Sequence, residues 1–320
     1  MMPLALLHQS PSRPISPVWS SRRERSKGSH GNEFTFGRER LPRFRGVCLF
    51  IALLSVFPAV ASAARLTPEA INAWDKYLEW ADKKVEREIT DGTRFLIQDY
   101  LSSQEKGNVL RRLKAGEVVA QRMKGVIPSG ADFDIHDAAI HHWWGSILVP
   151  QVRLEDLLPF LQDYDHHAGR FLEVEKSRLL SKDGENYKFS FRLKRSKAVV
   201  TVYYNTEQEC AYRIHNSHHA SSRSRATKIA ELENPGTPGE RELPPGEDRG
   251  FLWRLVSWWR FQQTDDGVIV ECESASLSRG IPFLISMVPG LRGYLESVPR
   301  ESLENTLTSI RHHAPAWKKP

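Results

Sequence analysis

The sequence predicts an α+β domain of antiparallel strands that ends in a C-terminal helix. Two observations lead to this prediction. From about residue 131, the chain reads as a strand, a helix, six strands joined by turns and one longer loop, and a last helix. Within several strand segments apolar and polar residues alternate, which is typical of a sheet with two different faces. We expect about seven strands, preceded by an extra helical region at residues 64–130.

Residues 1–63 form a leader that precedes this domain. Two arginines, Arg43 and Arg45, come before the apolar run Val47–Val60, and small residues at 61–63 follow it. This pattern is typical of a secretory signal peptide cleaved near Ala63. The apolar run is shorter than a membrane span needs, which favours a signal peptide over a membrane anchor. An uncleaved anchor is the alternative. The sequence therefore predicts an exported protein, periplasmic or secreted.

The first part of the leader is unusually long for a signal peptide. Residues 8–40 are rich in Ser, Arg and Pro with little periodicity, which predicts disorder. Either the leader is extended or its start codon is placed too far upstream, and we favour the second. Leu41, read as a start, would begin a signal of ordinary length.

The formal net charge of +6 belongs to this leader. Residues 1–64 carry nine Lys and Arg against three acids, and the rest of the chain is formally neutral. A basic surface is the usual footprint of nucleic-acid binding. We therefore expect no nucleic-acid partner.

Helix signals dominate residues 64–130. Thr67 and Pro68 suit the start of a helix, and Asp91-Gly92 ends it. An apolar stripe at helical spacing lies between them, formed by Ile71, Trp74, Leu78, Ala81 and Val85. A second helical or mixed stretch runs over 95–113. We expect this region to pack on the domain that follows, because it is too small to fold alone.

The remaining elements follow in order. Residues 139–149 predict a strand and residues 152–164 a helix. Strands are predicted at about 172–182, 186–195, 198–214, 220–232, 250–264 and 267–278, and Pro and Gly mark a loop at 233–249. The last helix enters at Pro299. Before it, the apolar stretch 281–295 is either a lid or packed chain.

Three segments carry a resemblance to a known superfamily. Gln162-Asp163-Tyr164, Val174–Leu180 and Val270–Leu277 resemble the helix end, second strand and last strand of the START-like, or helix-grip, superfamily. That superfamily includes polyketide cyclases, birch-pollen-allergen-like proteins and coenzyme-Q-binding START-type proteins. The region from Gly250 to Pro282 also resembles an uncharacterised exported bacterial branch. The resemblance covers residues 131–315 and implies a curved sheet around the C-terminal helix, with an apolar cavity between them.

Two aromatic stripes would face that cavity. The candidate ligand-binding rings, which alternate with polar residues, are Tyr187, Phe189, Phe191, Trp253, Trp259 and Phe261. A filled core explains the same stripes, and both interpretations stay open. Trp258 falls on the opposite face, where a core residue is not expected. An exposed patch there would favour an envelope interaction module without a ligand.

Four charged residues are further candidates. Arg223 and Arg225 share one face of a strand, and Glu271 and Glu273 share an apolar face of the last strand. The pairs either neutralise each other across the sheet or bind a ligand head group. In a third interpretation one carboxylate is the base of a cyclase-type enzyme, with His142 or Tyr187 nearby.

The sequence predicts no metal and no cofactor. The histidine pairs lack the spacing of a chelate, and nucleotide and hydrolase motifs are absent from the sequence. Cys210 and Cys272 are either buried thiols or a disulfide formed on export.

The leading functional hypothesis is binding of a lipid or other apolar small molecule between the sheet and the C-terminal helix, compatible with transient membrane contact. Oligomeric state is not fixed by the sequence.

Overall fold

A computed structural model describes residues 65–123, 137–197, 200–280 and 297–318. The leader, the predicted signal peptide, the boundary near residue 130 and the stretch 281–295 lie outside these ranges. Among the helices in these ranges, none is long and apolar enough to cross a membrane.

Four α-helices in the described ranges flank the sheet. Helix α1 spans Pro68–Ile89 and α2 spans Ser103–Lys114, while α3 spans Leu154–Gln162 and α4 spans Val298–His313. The Thr67 side chain accepts a hydrogen bond from the backbone N–H of Ala70, which caps α1 as the sequence predicts. A short 3₁₀ turn, Ile97–Tyr100, connects α1 to α2.

The strands are β1 (Val119–Arg122), β2 (Ala138–Pro150), β3 (Val174–Asp183), β4 (Asn186–Lys197), β5 (Val200–Ile214), β6 (His219–Glu233), β7 (Arg241–Glu242), β8 (Arg254–Thr264) and β9 (Gly267–Arg279). The strand, helix, six strands and final helix of the prediction are all present. Two short strands were not predicted: β1, inside the region expected to be helical, and β7, inside the loop 233–249. The described sheet is antiparallel and runs in the order β1-β2-β9-β8-β6-β5-β4-β3, with β7 beside β6.

Helix α4 contacts strands near both edges of the sheet. Leu303 and Leu307 pack over β2 at Gly145, where an added Cβ would lie 2.6 Å from Leu307 Cδ1. Near the other edge, Glu173 accepts hydrogen bonds from Ser302 Oγ at 2.5 Å and Asn305 Nδ2 at 3.0 Å. The sheet therefore wraps α4, and the predicted helix-grip arrangement is confirmed.

The two faces of the sheet are covered by different helices. We call the face against α3 and α4 the inner face; its core includes Ile147, Phe261 and Val270. The outer face is covered by α1 and α2, whose buried residues include Trp74 and Val109. The N-terminal region therefore packs on the sheet as expected, and it adds a third layer to the fold.

Candidate functional site

The inner face is tightly packed next to α3. Tyr164, just after α3, stacks on Phe189 with ring centroids 3.8 Å apart, and its hydroxyl lies 3.1 Å from that of Tyr212. Tyr187, Phe189 and Phe261 are each no more than 3% exposed. Three of the predicted ligand-binding rings are therefore core residues in this part of the face.

The centre of the inner face carries small side chains instead. Ser224, Ser257 and Ser274 pair in register across β6, β8 and β9. Cys210 precedes this row on β5, and Trp143 ends it on β2. With the neighbouring inward-facing positions, the small residues form a patch that we call the floor: Cys210, Ser222, Ser224, Ser257, Cys272, Ser274 and Ser276.

Three aromatic rings on this face are only partly buried. They are Phe191, Trp259 and Trp143, and all of them pack against the inner core cluster. Trp259 Nε1 donates to Ser257 Oγ at 2.9 Å. Trp143 Nε1 is buried and has no hydrogen-bond partner among the described residues. The floor thus combines small hydroxyls, aromatic surface and an unused donor, which are features of a site for an apolar molecule with a polar group.

Several predicted site residues lie on the outer face. Trp253 packs with α1 and its Nε1 donates to Asp248 Oδ1 at 2.9 Å. Arg223 makes a bidentate pair with Asp82 of α1, at 2.7 and 2.9 Å. Arg225 is exposed. The prediction that these three line the inner cavity is wrong, because the chain bends before β8 and the arginines alternate outward on β6.

Glu271 and Glu273 are also on the outer face. Both are fully buried, and they share a face of β9 with Ile269 and Ala275, which pack in the outer clusters. The sequence could not distinguish the faces because β9 is buried on both. The prediction of a catalytic carboxylate in the inner cavity is therefore wrong, and Tyr187 lies across the sheet from both acids.

The outer-face acids belong to a charge network, although the predicted arginines are not their partners. Glu273 lies 2.9 Å from Arg260 Nη2 and 3.1 Å from Lys84 Nζ. Glu88 contacts the same two cations, at 2.5 and 3.1 Å. Two cations and two carboxylates thus form a closed square with balanced charge, which reduces the cost of burying them.

His142 and Tyr77 extend this network. Tyr77 Oη is 2.5 Å from His142 Nδ1, and His142 Nε2 is 3.2 Å from Glu273 Oε2. Burial raises the pKa of Glu273, but His142, Lys84 and Arg260 outweigh it and lower that pKa to about 2. Burial and Glu273 both raise the pKa of Tyr77. This cluster therefore holds α1 to the sheet and has the character of a structural ion-pair network.

Glu271 differs from its neighbour. Its oxygens accept hydrogen bonds from the backbone N–H groups of Ile97 and Gln98, at 2.5 and 3.3 Å. Burial raises its pKa to about 8, against the lowering effect of Arg260 and the two N–H groups. Glu271 thus anchors the 3₁₀ turn between α1 and α2 while largely protonated at neutral pH.

Trp258 is buried at 3% exposure, and its Nε1 donates to Asp82 Oδ1 at 2.7 Å. Helix α1 covers Trp258, so this residue does not form the exposed patch that an interaction module would use.

Cys210 and Cys272 are buried free thiols. Three strand spacings of about 4.8 Å separate their strands, too far for a disulfide.

The floor was missed by the sequence analysis, although the sequence carries a signal for it. Serines recur at every second position in Ser222-x-Ser224 and in Ser274-x-Ser276-x-Ser278. Such spacing places them on one face of a strand. Only the register between strands brings the two runs and Ser257 together. In the described ranges, no cluster of three His, Cys, Asp or Glu side chains could hold a metal ion.

No family model matches the chain, and no curated protein matches it. Among solved structures it is similar to a STAR-related lipid transfer protein from Xanthomonas axonopodis, with 15% identity over 61% of this chain and 98% of that one, and a TM-score of 0.39. It is also similar to the Zhui aromatase/cyclase from Streptomyces, with 14% identity, 55% and 94% coverage, and a TM-score of 0.34.

Human STARD10 gives similar values: 10% identity over 68% of this chain and 86% of that chain, with a TM-score of 0.38. At such identities, the function has to be argued from this chain's own residues.

Proposed function

We propose that the chain binds a lipid or another apolar small molecule at the floor of the inner face, between the sheet and α4. The observation that carries the proposal is the contrast between two parts of this face. Next to α3, large rings fill the space to van der Waals contact. At the floor, seven positions of the sheet hold Ser or Cys instead. Serine and cysteine side chains are smaller than the rings beside α3, and we infer that a ligand supplies the packing that they do not.

The surroundings of the floor suit such a ligand. Phe191, Trp143 and Trp259 offer apolar ring surface that the described core does not fully cover. Serine hydroxyls and the free Trp143 Nε1 offer hydrogen bonds to one polar group of the ligand. An alkyl chain with a carbonyl or hydroxyl group has this combination of properties.

The experiment compares Ser257→Phe with Ser257→Ala. Both remove the hydrogen bond to Trp259, but only phenylalanine fills the floor. With the uncharged fluorescent probe N-phenyl-1-naphthylamine, we expect Ser257→Phe to weaken binding at least about tenfold, and Ser257→Ala to change it by less than about threefold. Native mass spectrometry of the purified chain should show a retained small molecule.

Two results would overturn this proposal. One is a wild-type chain that neither retains a molecule nor binds the probe. The other is a Ser257→Phe variant that folds with wild-type melting behaviour and binds the probe as well as the wild type.

We also propose that the chain is exported and loses its leader near Ala63. The support is the sequence alone: the basic residues before Val47–Val60 and the small residues after it. N-terminal sequencing of the chain recovered from the periplasm or medium should read from Ala64 or close to it. Recovery only from the cytoplasm, with the leader intact, would contradict export.

A further inference from the structure

The sheet opens between two of its central strands. Strands β6 and β8 pair only from His219 to Arg225 on β6 and from Val256 to Gln262 on β8. Beyond Arg225, β6 continues to Glu233 and pairs with β7 instead. A depression of about 350 Å³ lies where the two strands separate, lined by Arg225, Ala226, Thr227, Ile229, Trp253 and Arg254.

Both arginines of this depression lack an acidic partner. Among the described residues, no carboxylate oxygen lies within 4 Å of either guanidinium, and Arg254 donates only to the backbone oxygen of Trp253, at 2.9 Å. Arg223, on the same face, shows the contrast with its bidentate pair to Asp82. Two guanidiniums beside one depression, with no acid to neutralise them, create a positive site.

The nearby carboxylates are already engaged elsewhere. Glu209, the register neighbour of Arg225 on β5, pairs with Lys188 at 2.8 Å. Asp248 accepts from Trp253 Nε1 and from the backbone N–H of Gly250. Glu231 pairs with Arg249. The guanidiniums of Arg225 and Arg254 are therefore available to an anion from outside the chain.

We propose that the depression between β6 and β8 binds a phosphate group through Arg225 and Arg254. The planar fork of each guanidinium matches two oxygens of an oxyanion. A carboxylate offers only two oxygens and one charge, which one arginine can satisfy. A phosphate offers oxygens to both arginines at once. The apolar side chains that line the depression, Ala226, Ile229 and Trp253, favour a phospholipid head group over free phosphate as the source.

The test is isothermal titration calorimetry of the full chain at low salt with four ligands. These are dihexanoyl phosphatidic acid, dihexanoyl phosphatidylcholine, inorganic phosphate and hexanoate. The variants are Arg225→Gln, Arg254→Gln and Arg254→Lys, and Arg178→Gln is the matched control. Arg178 is an exposed arginine on the edge strand β3 with no acidic partner in the described chain.

We expect phosphatidic acid to bind, and Arg225→Gln and Arg254→Gln each to weaken that binding at least about tenfold. Arg254→Lys should recover part of the loss because it keeps the charge without the fork, and Arg178→Gln should bind as the wild type does. Equal binding of inorganic phosphate would support the site and assign it to free phosphate. If Arg225→Gln and Arg254→Gln bound phosphatidylcholine as strongly as the wild type does, Arg225 and Arg254 would not be the residues that bind the phosphate group.

Three other results overturn the proposal: no phosphate-bearing ligand binds, hexanoate binds as tightly as phosphatidic acid, or Arg178→Gln loses as much affinity as the two site variants. Melting temperatures of all variants separate loss of binding from loss of folding. The arginine variants separate this site from the apolar site: they should bind the uncharged probe N-phenyl-1-naphthylamine as the wild type does, because the floor lies on the inner face and contains neither arginine.

Discussion

Glu271 shows how one buried carboxyl couples the stability of the fold to pH. It is fully buried on β9 and holds the turn between α1 and α2 through two backbone N–H groups. Its pKa rises from 4.5 to about 8 on folding, so the folded chain holds this proton more tightly than the unfolded chain. The stability that Glu271 contributes is complete below about pH 4.5 and is lost as pH rises through about 8.

We expect the Glu271→Gln variant to lose this dependence. In the wild type, Glu271 should lower the free energy of unfolding by about 1.4 kcal/mol per pH unit between pH 5 and 7. Glutamine cannot ionise, so its curve should lack that slope. Urea unfolding at several pH values measures the difference, with Glu247→Gln, an exposed loop position, as the control. Parallel wild-type and Glu271→Gln curves would show that Glu271 is ionised in the folded chain.

At the residue scale, the sequence predicts which side chains face inward better than it predicts which residues surround them. The aromatic residues at 187, 189 and 261 are inward-facing, as alternation on their strands predicts. The surroundings of Glu271 and Glu273 depend on α1 and on the 3₁₀ turn after it, which are more than 150 residues away in sequence. Arg260 lies beside both acids only because of the register between β8 and β9. Register is set by tertiary packing, which one sequence does not display.

Helix α1 is attached to the sheet by a polar contact as well as by its apolar stripe. Asp82 accepts hydrogen bonds from Trp258 and from both nitrogens of the Arg223 fork. The side chains of Asp82 and Arg223 are about one-third exposed, so solvent weakens their ion pair. The bidentate hydrogen bonds still fix how the two side chains are oriented. This contact fixes the position of α1 along the strands β6 and β8.

We expect Asp82→Asn to destabilise the chain by about 1–2 kcal/mol, because asparagine keeps one acceptor oxygen and loses the charge. Chemical denaturation measures the change, and Asp75→Asn, at an exposed position of the same helix, is the matched control. A loss of equal size in both variants would mean that helix charge, and not the contact with the sheet, sets the effect.

The elements themselves are largely predictable from the sequence. Strands β3 to β6, β8 and β9 follow from alternation and from turns such as Asp183-Gly184. Strand β1 was missed because its four residues are too few to show a period and follow directly after a helix. Strand β7 has only two residues and forms through pairing with β6. Such short strands are determined by their neighbours rather than by their own residues.

At the scale of the whole molecule, the N-terminal helices are a necessary layer of the described fold. They cover Trp144 and Trp258 and complete the charge square around Glu273. Without α1, Arg260 and Glu273 would lose Lys84 and Glu88, and the outer apolar clusters would face water. A partly broken ion-pair network and an exposed apolar face both destabilise a fold.

We therefore expect a chain that begins at residue 131 to be insoluble or to bind the dye ANS strongly, while a chain that begins at Ala64 remains soluble. Soluble yield and size-exclusion chromatography measure the difference. A soluble, monomeric product that starts at residue 131 and melts cooperatively would show that the helix-grip portion is self-sufficient.

The double covering of β9 has a consequence for hydrogen exchange. This strand pairs with β2 on one side and β8 on the other, with helices above and below it. Its amide protons can reach water only when the whole fold opens, whereas the edge strand β3, mostly exposed, exchanges through local fraying. The slowest amides in deuterium exchange should therefore lie in β9, and their protection should report the global free energy of unfolding.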